Sequence, residues 1–246
     1  MARYSPPTAL SYSFGPGPMT PAVKWIIWAN VAVFVVCFVA PSVRPYLGLI
    51  PEAVIERRWI WQPVTYMFVH YGFTHILFNM LGIWMFGVEL ERRWGTPFFV
   101  RYYAITGVGA AFTTMVVGLL PFAVTAATYS SSTGGASGAL FGILLAFAMY
   151  YPDRPILLFM LFPIPARYFV MIIGAIAFMS AAGGEPSVAH AAHLGGMVFG
   201  YLYLKGGGGG FSAEIKYRYV KWKMNRLRRK FDVYSGGRSD WDRKVH

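Results

Sequence analysis

Ser137 sits where a polar, glycine-rich run, Ser130–Gly135, gives way to an apolar stretch; residues 130–142 read SSSTGGASGALFG. A serine hydroxyl becomes a nucleophile when a base lies within about 2.6–3.2 Å of it. His190 and His193, more than fifty residues on, are candidate imidazole partners, and His75 and Asn79 form a second polar pair upstream. Taken alone, a serine at a helix start is most often a cap, a lone histidine is a packed side chain, and an asparagine in an apolar helix is interhelical glue. The three sets together ask for a common explanation, which depends on the elements that carry them.

Those elements are apolar. The chain has 246 residues, 56% hydrophobic and 13% charged, with mean hydropathy +0.46; soluble domains run near 45–50% apolar and about 25% charged. The apolar residues come in blocks near the length that crosses a bilayer core of roughly 30 Å. We read six spans: Trp25–Ala40, Phe73–Val88, Pro97–Leu120, Ser137–Tyr150, Ala166–Ala182 and Ser187–Leu204. The expected architecture is an all-α polytopic membrane protein, a six-transmembrane-helix bundle over residues 23–205. It is preceded by a disordered Pro/Ser/Gly-rich tail, 1–22, and followed by a glycine linker and basic tail, 206–246. The first block lacks a small-residue cleavage site and reads as a retained span. The one cysteine, Cys37, excludes an intrachain disulfide.

Charge orients the bundle. The net charge is +12, and from Lys205 to His246 there are 12 Lys/Arg against 4 Asp/Glu. Arg92, Arg93 and Arg101 follow span two, and Arg154 and Arg167 flank the loop between spans four and five. The loops after spans three and five carry no Lys or Arg; only the first loop, with Arg44, Arg57 and Arg58, argues the other way. The positive-inside rule then places both termini in the cytoplasm. Ala213, Tyr217, Val220, Met224, Leu227 and Phe231 recur at spacings of three and four among basic residues. That is a basic amphipathic helix suited to an anionic leaflet rather than to nucleic acid.

With this topology spans two, four and six run the same way, and His75/Asn79, Ser137 and His190/His193 all fall in the outer half of the membrane. Span four's 14 residues cover only about 21 Å, so Ser137 should begin its helix below the outer surface, with Thr133-Gly134-Gly135 dipping in to line a wet cavity. Helix N-termini present unpaired N–H groups to a developing oxyanion. Gly138, Gly142 and Ala146 on span four, and Ala192, Gly196 and Gly200 on span six, lie four apart, a spacing that lets helices approach closely in lipid. No acid is placed to complete a triad, so the residues support a Ser–His dyad.

On these residues the chain resembles the rhomboid family of intramembrane serine proteases. Gly135-Ala136-Ser137-Gly138 matches GxSG, His75-Ile76-Leu77-Phe78-Asn79 matches HxxxN, and His193-Leu194-Gly195-Gly196 matches the final histidine. The resemblance implies Ser137 as nucleophile and His193 as general base, with the Ser137 N–H, Asn79 and His75 forming an oxyanion hole. It makes Glu91-Arg92-Arg93 a structural brace. Two positions depart from the family pattern: Trp61-Gln62 stands where many members have Trp-Arg, and Phe141 stands where some have a tyrosine stacked on the histidine. His70 either helps hydrate the cavity or is only a loop residue; His190 either caps its span or solvates it.

The expectation is hydrolysis of peptide bonds in or near transmembrane segments of membrane-protein substrates, with no metal or cofactor. The expected setting is the plasma (inner) membrane, with anionic lipids at the basic tail and no nucleic-acid partner. Two alternatives stand beside it. One is a non-catalytic rhomboid-like protein that binds membrane helices, though such relatives lack the serine or the histidine. The other is a metal or haem site from His70, His75, His190 and His193, weakened by the absence of HExxH and of acidic or cysteine ligands at depth.

Overall fold

The computed structural model describes residues 15–120, 123–158, 162–182 and 188–208, together with 217, 219–224 and 226 of the tail. Helix α1, Pro21–Val39, is followed by short helices that fold the first loop, α2 Arg44–Leu47, α3 Pro51–Glu56 and α4 Gln62–Thr65. Then come α5 Phe73–Gly82, α6 Val88–Trp94, α7 Thr96–Gly118, α8 Ala123–Ser130 and α9 Ser137–Tyr150. A two-stranded antiparallel ribbon, β1 Pro155–Leu158 and β2 Phe162–Pro165, leads into α10 Ala166–Ala182 and α11 Val188–Tyr203. Helices α5 and α6 form one continuous rod, Phe73–Trp94, joined by the π-helical turn Ile83–Gly87. Among the described residues two helices, Pro21–Val39 and Phe73–Trp94, are long and apolar enough by themselves to cross a bilayer.

The core is the α7–α9–α11 seam. Helix α11 packs most extensively against α7 and α9, and ten of the fourteen residues of α9 are buried. A helix that is apolar all round belongs inside; here it is ringed by protein. In lipid, close van der Waals packing and hydrogen bonds must hold helices together, and glycine supplies the approach. A side chain on Gly196 would run into the backbone of Gly138, and a Cβ on Gly142 would stand 2.6 Å from Thr106. Tyr102 of α7 donates its hydroxyl to the Gly142 carbonyl at 2.7 Å.

The periphery is tied by polar groups. The buried Glu91 carboxylate accepts the Ala22 and Val23 N–H groups at 2.9 and 3.0 Å, and the hydroxyls of Thr20 and Thr96. It thereby caps the start of α1, whose own residues provide no side-chain cap, from another helix. Arg92 donates to the carbonyls of Pro16 and Pro18, and Trp84 to that of Gly17 at 3.3 Å.

These contacts correct the sequence reading in places. Residues 15–22, placed by sequence in the N-terminal tail, lie against Trp84, Arg92 and Glu91; residues 1–14 lie outside the described residues. The first span starts at Pro21, where proline at the first helical position is favoured. The second runs to Trp94, past its charged end, because Glu91 is satisfied internally. Neither helix α8 nor the ribbon in the loop after α9 has a counterpart in the sequence reading. The last helix continues through a π-helical turn, Leu204–Gly208, beyond the expected stop at the glycines; Leu204 is fully buried there. Cys37 is packed and free. Most of the expected amphipathic tail helix lies outside the described residues; Tyr217, 219–224 and Arg226 are helical and exposed.

Candidate active site

Ser137 opens α9, and the first-turn N–H groups of that helix have no intrahelical acceptor. The strand of chain leading to it is held on both sides. Leu49 and Thr133 exchange N–H···O bonds of 2.8 Å in each direction, and the Gly135 N–H donates to the Tyr66 carbonyl at 2.9 Å. Tyr66 is itself fixed, since its buried hydroxyl donates to the Gly107 carbonyl at 2.6 Å. Gly135 has φ +130°, a backbone region that L-residues rarely adopt.

His193, on α11, reaches across the seam, and its Nε2 lies 2.8 Å from Ser137 Oγ. Its ring is stacked on Phe141, one helical turn after the serine, with centroids 4.0 Å apart and planes 3° from parallel. The small-residue spacing on α9 and α11 thus does what the sequence asked of it: the seam closes far enough for hydroxyl and imidazole to touch.

A cavity of about 280 Å³ opens beside the pair, lined by His75, Asn79, Thr133, Gly134, Gly135 and Leu140 among others, with Ser137 and His193. His75 and Asn79 from α5, Ser137 from α9 and His193 from α11 therefore share one pocket. The Asn79 Nδ2 donates to the His75 carbonyl at 2.8 Å and keeps a second N–H; its Oδ1 is buried without a partner.

His70 and His190 do not line the cavity. His70 is fully buried in the loop before α5, its Nδ1 3.3 Å from the Phe68 carbonyl and its ring edge-on to His75 at 4.9 Å. His190 stands edge-on to His193 at 6.2 Å. The four histidines fall into two pairs, and among the described residues no group of three or more His, Cys, Asp or Glu side chains is gathered to hold a metal.

Sequence reasoning missed Tyr66, which reads as one more apolar loop residue yet both fixes Gly135 and lines the cavity. It also left Gln62 as the absence of an arginine. Gln62 is fully buried; its Oε1 accepts the Ile50 N–H at 2.9 Å and its Nε2 donates to the Pro45 carbonyl at 2.9 Å. The glutamine braces the loop that carries Leu49.

The sequence pattern of the rhomboid domain matches residues 57–207. The chain belongs to the rhomboid family. It is an integral membrane protein of mostly helical architecture, as members of that family are. Among its relatives are the mitochondrial rhomboid protein 1 of Saccharomyces cerevisiae, 36% identical over 140 residues, covering 55% of this chain and 38% of the yeast one. The rhomboid protease GluP of Bacillus subtilis is 28% identical over 149 residues, 61% of this chain and 26% of its own. The rhomboid protease GlpG of Haemophilus influenzae is 27% identical over 160 residues, 64% of this chain and 75% of its own. The chain thus spans less than half the length of the yeast and Bacillus proteins. The matched rhomboid region contains α5, α9 and α11, and with them each residue that meets at the cavity.

Proposed function

We propose that this rhomboid protein is an intramembrane serine protease that hydrolyses peptide bonds in or near transmembrane segments of other membrane proteins. The observation that carries the reading is the 2.8 Å contact between Ser137 Oγ and His193 Nε2 at the edge of a cavity. Relatives named as proteases point the same way. Ser137 gives its proton to His193 and attacks the scissile carbonyl. The tetrahedral oxyanion is met by the Ser137 N–H at the start of α9, by the free N–H of Asn79 and by His75. Protonated His193 then returns its proton to the leaving amine, and water resolves the acyl-enzyme by the same route in reverse. A substrate helix must unwind to offer its carbonyl, so small or helix-breaking residues near the bond favour turnover.

In this reading the chain crosses the bilayer six times with both ends in the cytoplasm, in the plasma membrane, and the basic tail rests on anionic lipid. Labelling with a serine-directed fluorophosphonate tests the chemistry. Wild-type protein should label, and Ser137→Ala and His193→Ala should not. Equal labelling of Ser137→Ala would end the proposal.

A further inference from the structure

The ribbon between α9 and α10 takes no part in the site, and its composition is unusual. From Pro155 to Ala166 all twelve residues, PILLFMLFPIPA, are apolar, and Arg154 and Arg167 stand at its two ends. Its base is fixed at a charged belt. Arg154 pairs with Glu89 and Arg167 with Asp153, each at 3.0 Å, and the Ala166 N–H donates to the Arg154 carbonyl at 2.9 Å. At the base, Ile156 is buried in the core of the bundle; further along the same face Phe162 is 61% exposed. Among the described residues the apolar face is therefore covered by the bundle at Ile156, half-covered at Ile164 and open at Phe162.

The register shows where it goes. Pro155 faces Pro165, Ile156 faces Ile164, and Leu157 faces Pro163. Antiparallel pairs alternate between hydrogen-bonded and non-bonded. Ala166 and Arg154 are bonded, so Ile156/Ile164 are too, while Pro155/Pro165 and Leu157/Pro163 direct their backbone groups away from the ribbon. Of the four outward N–H positions, three belong to proline and do not exist. An exposed strand edge that invites pairing offers donors; this one offers Leu157 alone. Lipid penalises unpaired backbone groups of either kind, so each missing donor removes one such cost. The outward carbonyls remain and need water, which excludes the hydrocarbon centre and leaves the headgroup boundary.

We propose that the β1–β2 ribbon is a membrane-seated element, lying in the boundary between headgroups and acyl chains on the side of Arg154 and Arg167. Each strand of four residues reaches about 13 Å, enough for the depth at which interfacial elements sit. The two arginines, each about half exposed while paired to a carboxylate, stand at phosphate level. The occupant of the apolar face is lipid, and the proline-blunted edges turn away other strands. This inference rests on the chain being a membrane protein and not on its chemistry.

The test places an environment-sensitive fluorophore on the full chain in lipid bilayers. In a Cys37→Ser background, Phe162→Cys is labelled with a nitrobenzoxadiazole probe, and Arg57→Cys in the first loop, labelled in the same way, serves as the exposed control. Lipids carrying a doxyl group near the headgroup end of the acyl chain should quench the probe at position 162 at least about twofold more than the probe at position 57, as expected for seating about 5–10 Å deep. Aqueous iodide should quench position 162 less than position 57. Strong iodide quenching with no doxyl effect would put the ribbon in water and overturn the proposal. Protection from both quenchers would mean a protein cover, a second copy or a partner, and would overturn it equally. A melting temperature in detergent within a few degrees of the parent's, with a single symmetric gel-filtration peak, separates a folded Phe162→Cys protein from a misfolded one before either result is read.

Discussion

A Cβ placed on Gly135 would stand 2.8 Å from Nε2 of His75. Helix α5 and the loop that leads into α9 therefore meet at a residue that has neither the room nor, at φ +130°, the backbone freedom for any side chain.

Gly135→Ala should cost about 1–3 kcal/mol of local strain and push His75 or the Ser137 hydroxyl out of place. Because a misplacement of about 1 Å can cost about 10²-fold in rate, fluorophosphonate labelling should fall far more than thermal stability does. Labelling at the wild-type rate would mean that the loop before Ser137 does not position it.

The stack of Phe141 on His193 gives a second expectation. Phe141→Ala removes an aromatic contact of about 0.5–1.5 kcal/mol, which should lower kcat by up to about tenfold with little change in KM. Phe141→Tyr keeps the ring and should restore the rate. A change confined to KM would place Phe141 in substrate binding instead.

Overpacking the helix seam should undo the pair altogether. Gly196→Val forces α11 away from the Gly138 backbone, at a cost of about 1–3 kcal/mol or more, and should abolish labelling while lowering the melting temperature in detergent. Gly206→Ala is the comparison: nothing lies within 4 Å of its Cβ position, and the change should stay within about 0.5 kcal/mol.

Glu91→Gln replaces a carboxylate that accepts four bonds with a group that turns an N–H toward some of the same donors. Hydrogen bonds to a charged group are worth about 1.5–3 kcal/mol, so the variant should melt earlier. The Ser137–His193 contact lies elsewhere in the bundle, and labelling per folded molecule should hold. Loss of labelling without loss of stability would contradict a purely bracing role.

Gln62→Leu tests the outer loop. Leaving the Ile50 N–H and the Pro45 carbonyl without their partner should cost about 1–3 kcal/mol and expose the 45–50 segment to limited proteolysis. Through the Leu49–Thr133 bridge, labelling of Ser137 should also slow.

What can be read without coordinates is whatever depends on period and charge. The bounds of α9 and α10 follow from long apolar runs ended by polar or glycine-rich residues. The meeting of Ser137 with His193 is foreshadowed by glycines and alanines four apart, since that spacing is a local property of two helices. What stays hidden depends on which distant backbone group a side chain finds. The family pattern marks Glu91 as part of a brace, but which groups it braces shows only when Ala22, Val23 and Thr20 fold against it. Gln62 looks like a loss until Ile50 and Pro45 close around it. Tyr66 is apolar by composition and becomes a positioning residue only when Gly107 offers a carbonyl. The ribbon escapes notice because an unbroken apolar run of strand length has no period, and its three prolines take their meaning from register alone.

Where α9 and α11 cross at Gly138 and Gly196, main chain rests on main chain with no side chain between them to repack. Bilayers of differing thickness alter helix tilt at modest cost, and in most bundles interdigitated side chains absorb such changes. Here there is no such cushion, so the spacing of hydroxyl and imidazole is inherited from the backbones and should be nearly indifferent to the lipid in which the protein is reconstituted.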